Sequence, residues 1–214
     1  NQNEAPSITS NGGGSSAAIS IIENSAAVTT VTSTDPDVGA TMTYLIVGGA
    51  DASKFTINPS TGVLNFVSAP NFDAPGDVGG NNVYDVQVQV SDGALTDTQS
   101  IAVTVTNQNE SPTITSNGGG ANAAINVVEN STAVTTVVSV DPDASATKTF
   151  SIIGGADASK FTINAATGVL AFVSAPNFEA ATDAGGNNIY DVQVQVSDGV
   201  LTDTQSIAVT VTNQ

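Results

Sequence analysis

The sequence predicts an all-β protein made of two tandem Greek-key antiparallel β-sandwiches with about seven strands each. Apolar and polar residues alternate at the two-residue period of half-buried strands, and turn-forming residues separate these runs. No segment shows an apolar period of 3.6 residues. The chain also repeats itself, since Asn3-Glu4-Ala5-Pro6 returns 106 residues later as Asn109-Glu110-Ser111-Pro112. One repeat has the size of an ordinary β-sandwich domain, roughly 100 residues.

The internal repeat predicts the domain boundaries. Repeat 1 is expected at residues 1–106 and repeat 2 at residues 107–214, with 107–112 as the linker. The sequence opens on Asn1-Gln2-Asn3-Glu4 and closes on Asn213-Gln214, which belong to the same spacer phrase. We therefore expect an in-register part of a longer array, with neighbouring repeats as partners.

Five apolar stripes predict strands in each repeat. In repeat 1 they are, in order, Ile19 and Ile21, Val28–Thr34, Met42 with Tyr44 and Ile46, Tyr84 with Val86, Val88 and Val90, and Ile101 with Val103 and Val105. Between the third and fourth stripes, Phe55–Asn58 and Val63–Val67 flank Pro59-Ser60-Thr61-Gly62. Because Pro and Gly supply turn dihedrals, this segment predicts a β-hairpin. The few aromatic residues are expected in the core.

The charge balance excludes several classes of function. The chain has 20 Asp and Glu residues against three lysines (Lys54, Lys148, Lys160), and it has no Arg, His or Cys. Nucleic-acid binding needs cations that displace phosphate counterions, so we expect no nucleic-acid partner. No apolar run approaches 18 residues, which predicts no membrane insertion.

The same composition argues against catalysis. Without His, Cys or Arg, nucleophile–base pairs and arginine clamps cannot be built, so the chain is not expected to be an enzyme. Composition leaves a glycosidase-like carboxylate pair open. The acidic residues, however, stand at the motif positions described next, and those motifs give them a structural explanation.

An ordered series of short motifs recurs in both repeats. In repeat 1 the series is Glu23, Asp35-Pro36-Asp37, Phe55-Thr56-Ile57-Asn58 with Thr61-Gly62, Asn71-Phe72-Asp73, Val88–Gly93 and the spacer Asn107–Pro112. This order and spacing resemble the cadherin repeat, in the bacterial cadherin-like form found in large surface adhesins. The resemblance covers essentially both copies, and it implies a calcium-binding module that is extracellular, at the cell surface or secreted.

In that family, calcium lies at the junction between successive repeats. Carried over position by position, the resemblance implies a junction set of Glu23, Asn71, Asp73, Asn107, Gln108 (through a backbone carbonyl near it), Asn109, Glu110, Asp141, Asp143 and Asp198. Ca²⁺ takes six to eight oxygen ligands, and this set offers only oxygen donors. Zinc would require His or Cys. Unit charges 4 Å apart repel by about 1 kcal/mol per pair in water, so a cation would turn the repulsion among these carboxylates into cross-linking.

Some positions depart from the family pattern. Asn107 and Glu110 stand where Asp is usual, and Asn71-Phe72-Asp73 replaces the usual Asp-Arg-Glu element. With fewer anionic ligands we expect a dissociation constant of about 10⁻⁴ to 10⁻³ M. The two outer ends carry half-sites with weaker binding. They consist of Asn3, Glu4, Asp35, Asp37 and Asp92 at one end and Glu129, Asn177 and Glu179 at the other.

Other acidic positions have simpler interpretations. The loops Asp77–Asn82 and Asp183–Asn188 are either small metal loops or turns, and one carboxylate per loop favours turns. The segment Gly48–Asp51 is interpreted as a plain loop. Asp85 and Asp97 fall on polar strand faces and are expected to be solvated.

The leading functional prediction is a calcium-binding tandem module that acts as a calcium-rigidified adhesive or spacer segment of a bacterial surface or secreted protein. Without calcium, the spacer 107–112 should act as a hinge. The alternative is a calcium-dependent carbohydrate-binding module for polysaccharide, although the chain has no Trp and few other aromatic residues for stacking on sugars. Homophilic protein contacts are a third interpretation, which rests on fold analogy alone.

Overall fold

The computed structural model describes residues 2–214, and Asn1, where repeat 1 is predicted to begin, lies outside them. The chain divides into two compact units between Gln108 and Asn109. The strands of unit 1 are β1 (Ser7–Ile8), β2 (Ser16–Ile22), β3 (Ala27–Thr30), β4 (Ser33–Thr34), β5 (Thr43–Gly48), β6 (Phe55–Ile57), β7 (Val63–Phe66), β8 (Val83–Ser91) and β9 (Thr96–Thr106). Those of unit 2 are β10 (Thr113–Ile114), β11 (Asn122–Val128), β12 (Ala133–Thr136), β13 (Ser139–Val140), β14 (Thr149–Gly154), β15 (Phe161–Ile163), β16 (Val169–Phe172), β17 (Ile189–Ser197) and β18 (Thr202–Thr212). The predicted all-β sandwich fold is confirmed.

Each unit has a four-stranded sheet, a three-stranded sheet and a short strand pair. In unit 1 the strand orders are β2-β9-β8-β5, β3-β7-β6 and β1-β4, and unit 2 repeats them. All pairings in unit 1 are antiparallel except that of β2 with β9, which is parallel and places Ser16 opposite Ser100. The four-stranded sheets are therefore mixed, whereas the sequence predicted antiparallel strands. A two-residue period shows that a strand is half buried, but it carries no information about the direction of its neighbour.

A second difference concerns the stripe from Val28 to Thr34. The structure divides it between β3, which pairs with β7, and β4, which pairs with β1. Val31 lies at the change of sheet, is fully buried, and donates its backbone N–H to the carbonyl of Gly62 at 2.8 Å. Alternating apolar residues do not reveal where a strand leaves one sheet for another.

The core of each unit lies between its two main sheets. Along β8, Tyr84, Val86 and Val88 are buried, whereas Asp85 points outward and is exposed. The ring centroids of Phe66 and Tyr84 lie 5.0 Å apart in an edge-on arrangement. Equivalent aromatic residues pack in unit 2. These aromatic side chains thus belong to the core, as expected.

The predicted hairpin is confirmed as β6 and β7, with Phe55 opposite Phe66. The Asn58 carboxamide oxygen caps the turn by accepting the N–H groups of Ser60 and Thr61, both at 3.0 Å. Gly62 has a φ of 70°, and a Cβ there would lie 2.1 Å from the carbonyl oxygen of Val31. Only glycine fits this close approach.

Within residues 2–214, no helix has the length and apolar character needed to cross a membrane.

Candidate metal sites

Each unit carries acidic and amide residues at both ends of its four-stranded sheet. At the end that we call the top, β8 ends and antiparallel β9 begins. At the opposite end, the base, the parallel strands β2 and β9 both end. The top cluster of unit 1 is Asn3, Glu4, Asp35, Asp37 and Asp92, and its base cluster is Glu23, Asn71, Asp73 and Gln108. The corresponding top cluster of unit 2 is Asn109, Glu110, Asp141, Asp143 and Asp198, and its base cluster is Glu129, Asn177, Glu179 and Gln214.

Hydrogen bonds connect the top cluster of unit 1. The backbone N–H of Glu4 donates to Oδ2 of Asp37 at 2.8 Å, and Nδ2 of Asn3 donates to Oδ2 of Asp92 at 2.8 Å. The backbone N–H of Asp37 donates to Oδ1 of Asp35 at 2.7 Å, which closes an Asx turn. These hydrogen bonds hold residues that are far apart in sequence together at the top end of the sheet.

The top cluster of unit 2 repeats this network. The backbone N–H of Glu110 donates to Oδ2 of Asp143 at 2.9 Å, and Nδ2 of Asn109 donates to Oδ2 of Asp198 at 2.8 Å. The backbone N–H of Asp143 donates to Oδ1 of Asp141 at 3.0 Å. Because the same side chains make the same bonds in both copies, the arrangement follows from the repeated sequence.

The first aspartate of the Asp-Pro-Asp motif has a buried oxygen without a donor in both top clusters. Oδ2 of Asp35 and Oδ2 of Asp141 are buried and, within the described residues, have no hydrogen-bond partner. Leaving a buried charged acceptor unsatisfied is costly, so such an oxygen normally binds an ordered water or an ion. An anionic oxygen among other oxygen donors fits a hard cation such as Ca²⁺.

A third top-cluster carboxylate is stabilised in its charged form. The backbone N–H groups of Leu95 and Ala94 both donate to Oδ1 of Asp92 at 2.7 Å. These bonds, followed by the one from Asn3, hold the pKa of Asp92 below its ordinary value. In unit 2, the N–H groups of residues 200 and 201 and the side chain of Asn109 lower the pKa of Asp198 in the same way.

The base cluster of unit 1 is organised around Glu23, whose side chain is 1% exposed. Its Oε1 accepts the N–H of Gln108 at 2.8 Å, and its Oε2 accepts the N–H of Phe72 at 2.9 Å. A carboxylate oxygen of Glu23 and one of Asp73 lie within 4.8 Å of each other. Asn71 caps its own loop by accepting the N–H of Ala74 at 2.8 Å. Glu23 therefore ties three segments of unit 1 together, a structural role that the sequence did not suggest.

The base cluster of unit 2 keeps this frame with one difference. Glu129 accepts the N–H groups of Phe178 at 3.0 Å and Gln214 at 3.3 Å, and Asn177 accepts that of Ala180. Glu179 is exposed and makes no hydrogen bond among the described residues, whereas its counterpart in unit 1 is half-buried. Glu179 is thus more exposed than Asp73 at the same position of the base cluster. Asn107, for its part, follows β9 directly and is exposed.

The loop at Asp77 is held by its own backbone. Oδ2 and Oδ1 of Asp77 accept the N–H groups of Asn81 and Asn82, both at 3.0 Å. Burial raises the pKa of Asp77, but these and neighbouring backbone hydrogen bonds outweigh it and leave the pKa below its ordinary value. Asp183 repeats this arrangement. The geometry agrees with the interpretation of both loops as turns.

Two acidic residues have structural roles that the sequence did not indicate. The expectation that Asp97 is solvated is wrong, because it is half-buried and its Oδ2 accepts the N–H of Ile8 at 2.8 Å. Asp51, interpreted as part of a plain loop, is 2% exposed and accepts the N–H groups of Val78 at 2.7 Å and Asp85 at 2.9 Å. Both carboxylates anchor segments that are distant in sequence, and no local pattern could have identified those partners.

The fold is that of cadherin-type extracellular domains in tandem, which confirms the resemblance seen in the motifs. Domains EC1-2 of human protocadherin-24 match with a TM-score of 0.65 and 18% identity, over 99% of this chain and 100% of that one. Mouse cadherin-23 EC22-24 matches with a TM-score of 0.57 and 18% identity, over 98% of this chain and 65% of that one. Protocadherin gamma B2 domains 3-6 match with a TM-score of 0.55 and 20% identity, over 98% of this chain.

The chain spans about half the length of that protocadherin gamma B2 structure, 52%. No protein-family model and no curated protein matches the sequence. At these identities, the similarity establishes the fold of the chain.

Proposed function

We propose that this chain is a calcium-binding tandem cadherin-like module of an extracellular protein, on a bacterial surface or secreted, that calcium stiffens into an adhesive or spacer segment. The observation that carries the proposal is the buried oxygen of Asp35 and Asp141 that lacks a hydrogen-bond partner in the same position of both units. The likeness to extracellular cadherin domains supports the adhesive or spacer role.

In this proposal, calcium joins the top cluster of one repeat to the base cluster of the repeat before it. The ligand set that we propose for the junction is Glu23, Asn71, Asp73, Asn107, a backbone carbonyl near Gln108, Asn109, Glu110, Asp141, Asp143 and Asp198. An ionised carboxylate offers about four lone-pair sites, so an oxygen that already accepts an N–H retains capacity for a cation. The hydrogen bonds to Glu23 and Asp143 are therefore compatible with ligation.

The outer clusters are half-sites in the same scheme. The top cluster of unit 1 and the base cluster of unit 2 each supply only part of a coordination sphere. They would bind calcium more weakly than the complete junction, and neighbouring repeats in a longer array would complete them.

Isothermal titration calorimetry with calcium tests the binding step. We expect a saturable heat with a dissociation constant of about 10⁻⁴ to 10⁻³ M, as for extracellular modules. The variant Asp141→Asn should weaken this binding, and Asp191→Asn, at an exposed position of β17, is the matched control. Equal binding by the parent and Asp141→Asn would contradict the ligand assignment.

Small-angle X-ray scattering tests the stiffening step separately. We expect a narrower distribution of interatomic distances, with a longer maximum dimension, in calcium than in chelator, because the spacer 107–112 should lose its hinge motion. A maximum dimension that does not respond to saturating calcium would reject the stiffening role even if calcium binds.

A further inference from the structure

Each unit contains the same pocket beside the loop between the hairpin and the next long strand. In unit 1 its volume is about 350 Å³, and its polar lining is Ser53, Lys54, Ser68, Asn71 and Tyr84. In unit 2 its volume is about 430 Å³, and its polar lining includes Ser159, Lys160, Ser174, Asn177 and Tyr190. The calcium proposal uses Asn71 and Asn177 at the rim of these pockets, and it assigns no role to their other lining residues.

The charge of the pockets is opposite to that of the chain. With a net charge of −17, the protein has only three lysines, and Lys54 and Lys160 line these two equivalent pockets. No Asp or Glu lines either pocket. Within the described residues, neither ammonium group makes a hydrogen bond or an ion pair, whereas Nζ of Lys148 donates to the carbonyl of Ser139 at 2.8 Å. Each pocket therefore offers a local positive charge that is not paired with a carboxylate of the described residues.

Neutral donors surround this charge in unit 1. The Tyr84 hydroxyl accepts the N–H of Gly76 at 2.9 Å, which leaves its own proton available to a ligand. The Asn71 oxygen is engaged by its own loop, so its amide N–H groups remain as donors. Phe66 and Pro70 contribute an apolar wall. The lining thus combines one cation, hydroxyl and amide groups, and an apolar surface.

We propose that both pockets bind a sugar acid of monosaccharide size, with its carboxylate on Lys54 or Lys160 and its hydroxyl groups on the neutral donors. A single ammonium in a strongly negative chain matches a monoanion better than a multiply charged ligand. The hydroxyl and amide lining suits a polyhydroxylated ligand. The pocket volume falls at the lower end of the range of about 300 to 1,000 Å³ that is usual for small-molecule sites, which fits one sugar unit.

The three lysines allow a direct test. Reductive ¹³C-methylation keeps their charge and gives each lysine an NMR signal that can be followed during titration with sodium D-glucuronate in chelator. We expect saturable shifts for Lys54 and Lys160 and none for Lys148. Parallel shifts at all three lysines, or none at all, would overturn the proposal.

Two further probes separate the parts of the ligand. D-glucose lacks the carboxylate and should bind up to about fivefold more weakly than glucuronate, the most that losing an exposed ion pair is expected to cost. Sodium acetate keeps the carboxylate but lacks the hydroxyl groups, and it should also bind more weakly than glucuronate. Equal binding of acetate would reject a sugar acid, and equal binding of glucose would reject the role of the lysines.

Substitutions complete the test. Lys54→Met with Lys160→Met should weaken glucuronate binding by up to about fivefold, while Lys148→Met should leave it unchanged. The first two side chains are exposed, so their replacement should not disturb the fold. Because these titrations are made in chelator, a failure of the calcium proposal would leave their outcome unaffected.

Discussion

Glu23 at the base of unit 1 and Asp35 at its top use their carboxylates in different ways. At the base, both oxygens of Glu23 accept backbone N–H groups, from Phe72 and Gln108, and the side chain is buried. At the top, Asp35 accepts one N–H through Oδ1, and its Oδ2 is buried without a donor. The comparison teaches that acidic residues of this fold can serve two purposes, since the carboxylate of Glu23 is a structural anchor and that of Asp35 keeps a buried oxygen without a donor.

The length of the side chain explains part of this difference. An aspartate can bond the backbone two residues further on, and this Asx turn uses only one of its oxygens. The longer side chain of Glu23, which directly follows β2, reaches two other segments and accepts a backbone N–H from each. Because both groups are buried, the hydrogen bonds of Glu23 stabilise the fold, whereas the unpartnered Oδ2 of Asp35 destabilises it.

The largest expected effect comes from removing the base anchor. The variant Glu23→Leu leaves the N–H groups of Phe72 and Gln108 without their carboxylate acceptor, and losing these two charge-assisted hydrogen bonds should lower the free energy of unfolding of unit 1 by about 2 to 4 kcal/mol. Urea unfolding in chelator measures this loss, with the unchanged unit 2 as internal reference. A loss below about 0.5 kcal/mol, the range of ordinary surface substitutions, would show that Glu23 is no anchor.

The next effect concerns the unpartnered oxygen at the top. The variant Asp141→Asn keeps the Oδ1 acceptor for Asp143, so the protein without calcium should remain folded. At 10 mM calcium, a site with a dissociation constant of 10⁻⁴ to 10⁻³ M stabilises the folded state by roughly 1.4 to 2.7 kcal/mol, and most of this gain should disappear. Scanning calorimetry with calcium and with chelator provides the measurement. If Asp141→Asn still gained the full calcium-dependent stability, the unpartnered oxygen at the top would not differ in function from the carboxylates at the base.

A smaller effect is expected for the loop cap at the base. The variant Asn71→Ala removes the acceptor for the N–H of Ala74, which should cost roughly 0.5 to 1.5 kcal/mol of unfolding free energy. Asn177→Ala removes the matching cap in unit 2 and should shift that unit's unfolding by a similar amount. Chemical denaturation in chelator compares the two. If only one variant is destabilised, the base clusters of the two units are not equivalent.

The smallest effect is a pH dependence at the top. Because hydrogen bonding places the pKa of folded Asp92 and Asp198 below that of the unfolded chain, each contributes stability above the unfolded pKa of about 3.9 and loses it as pH falls through the folded value. In a carboxyl ¹³C NMR titration, Asn3→Ala should move the pKa of Asp92 back toward its ordinary value. Asp198 should not respond, and a joint shift of both residues would contradict the local cause.

Much of the fold could be predicted because alternating apolar residues and turn chemistry are local signals. The β6–β7 hairpin was visible from Pro59 and Gly62 with their flanking residues, and the core positions of Tyr84 and Val86 followed from the alternation. The parallel pairing of β2 with β9 was not predictable, because strand direction depends on a partner about 85 residues away. The anchoring roles of Asp51 and Asp97 were missed for the same reason.

The sequence by itself determined the number of repeats, the all-β class and the acidic residue types that make calcium the best candidate ligand, since these depend on composition and local order. Only the tertiary structure decided that both oxygens of Glu23 accept hydrogen bonds while Oδ2 of Asp35 and of Asp141 is buried without a donor. It also placed Lys54 and Lys160 in equivalent pockets without a carboxylate neighbour. Hydrogen-bond satisfaction and burial arise from segments that meet through folding, so a reading along the chain cannot supply them.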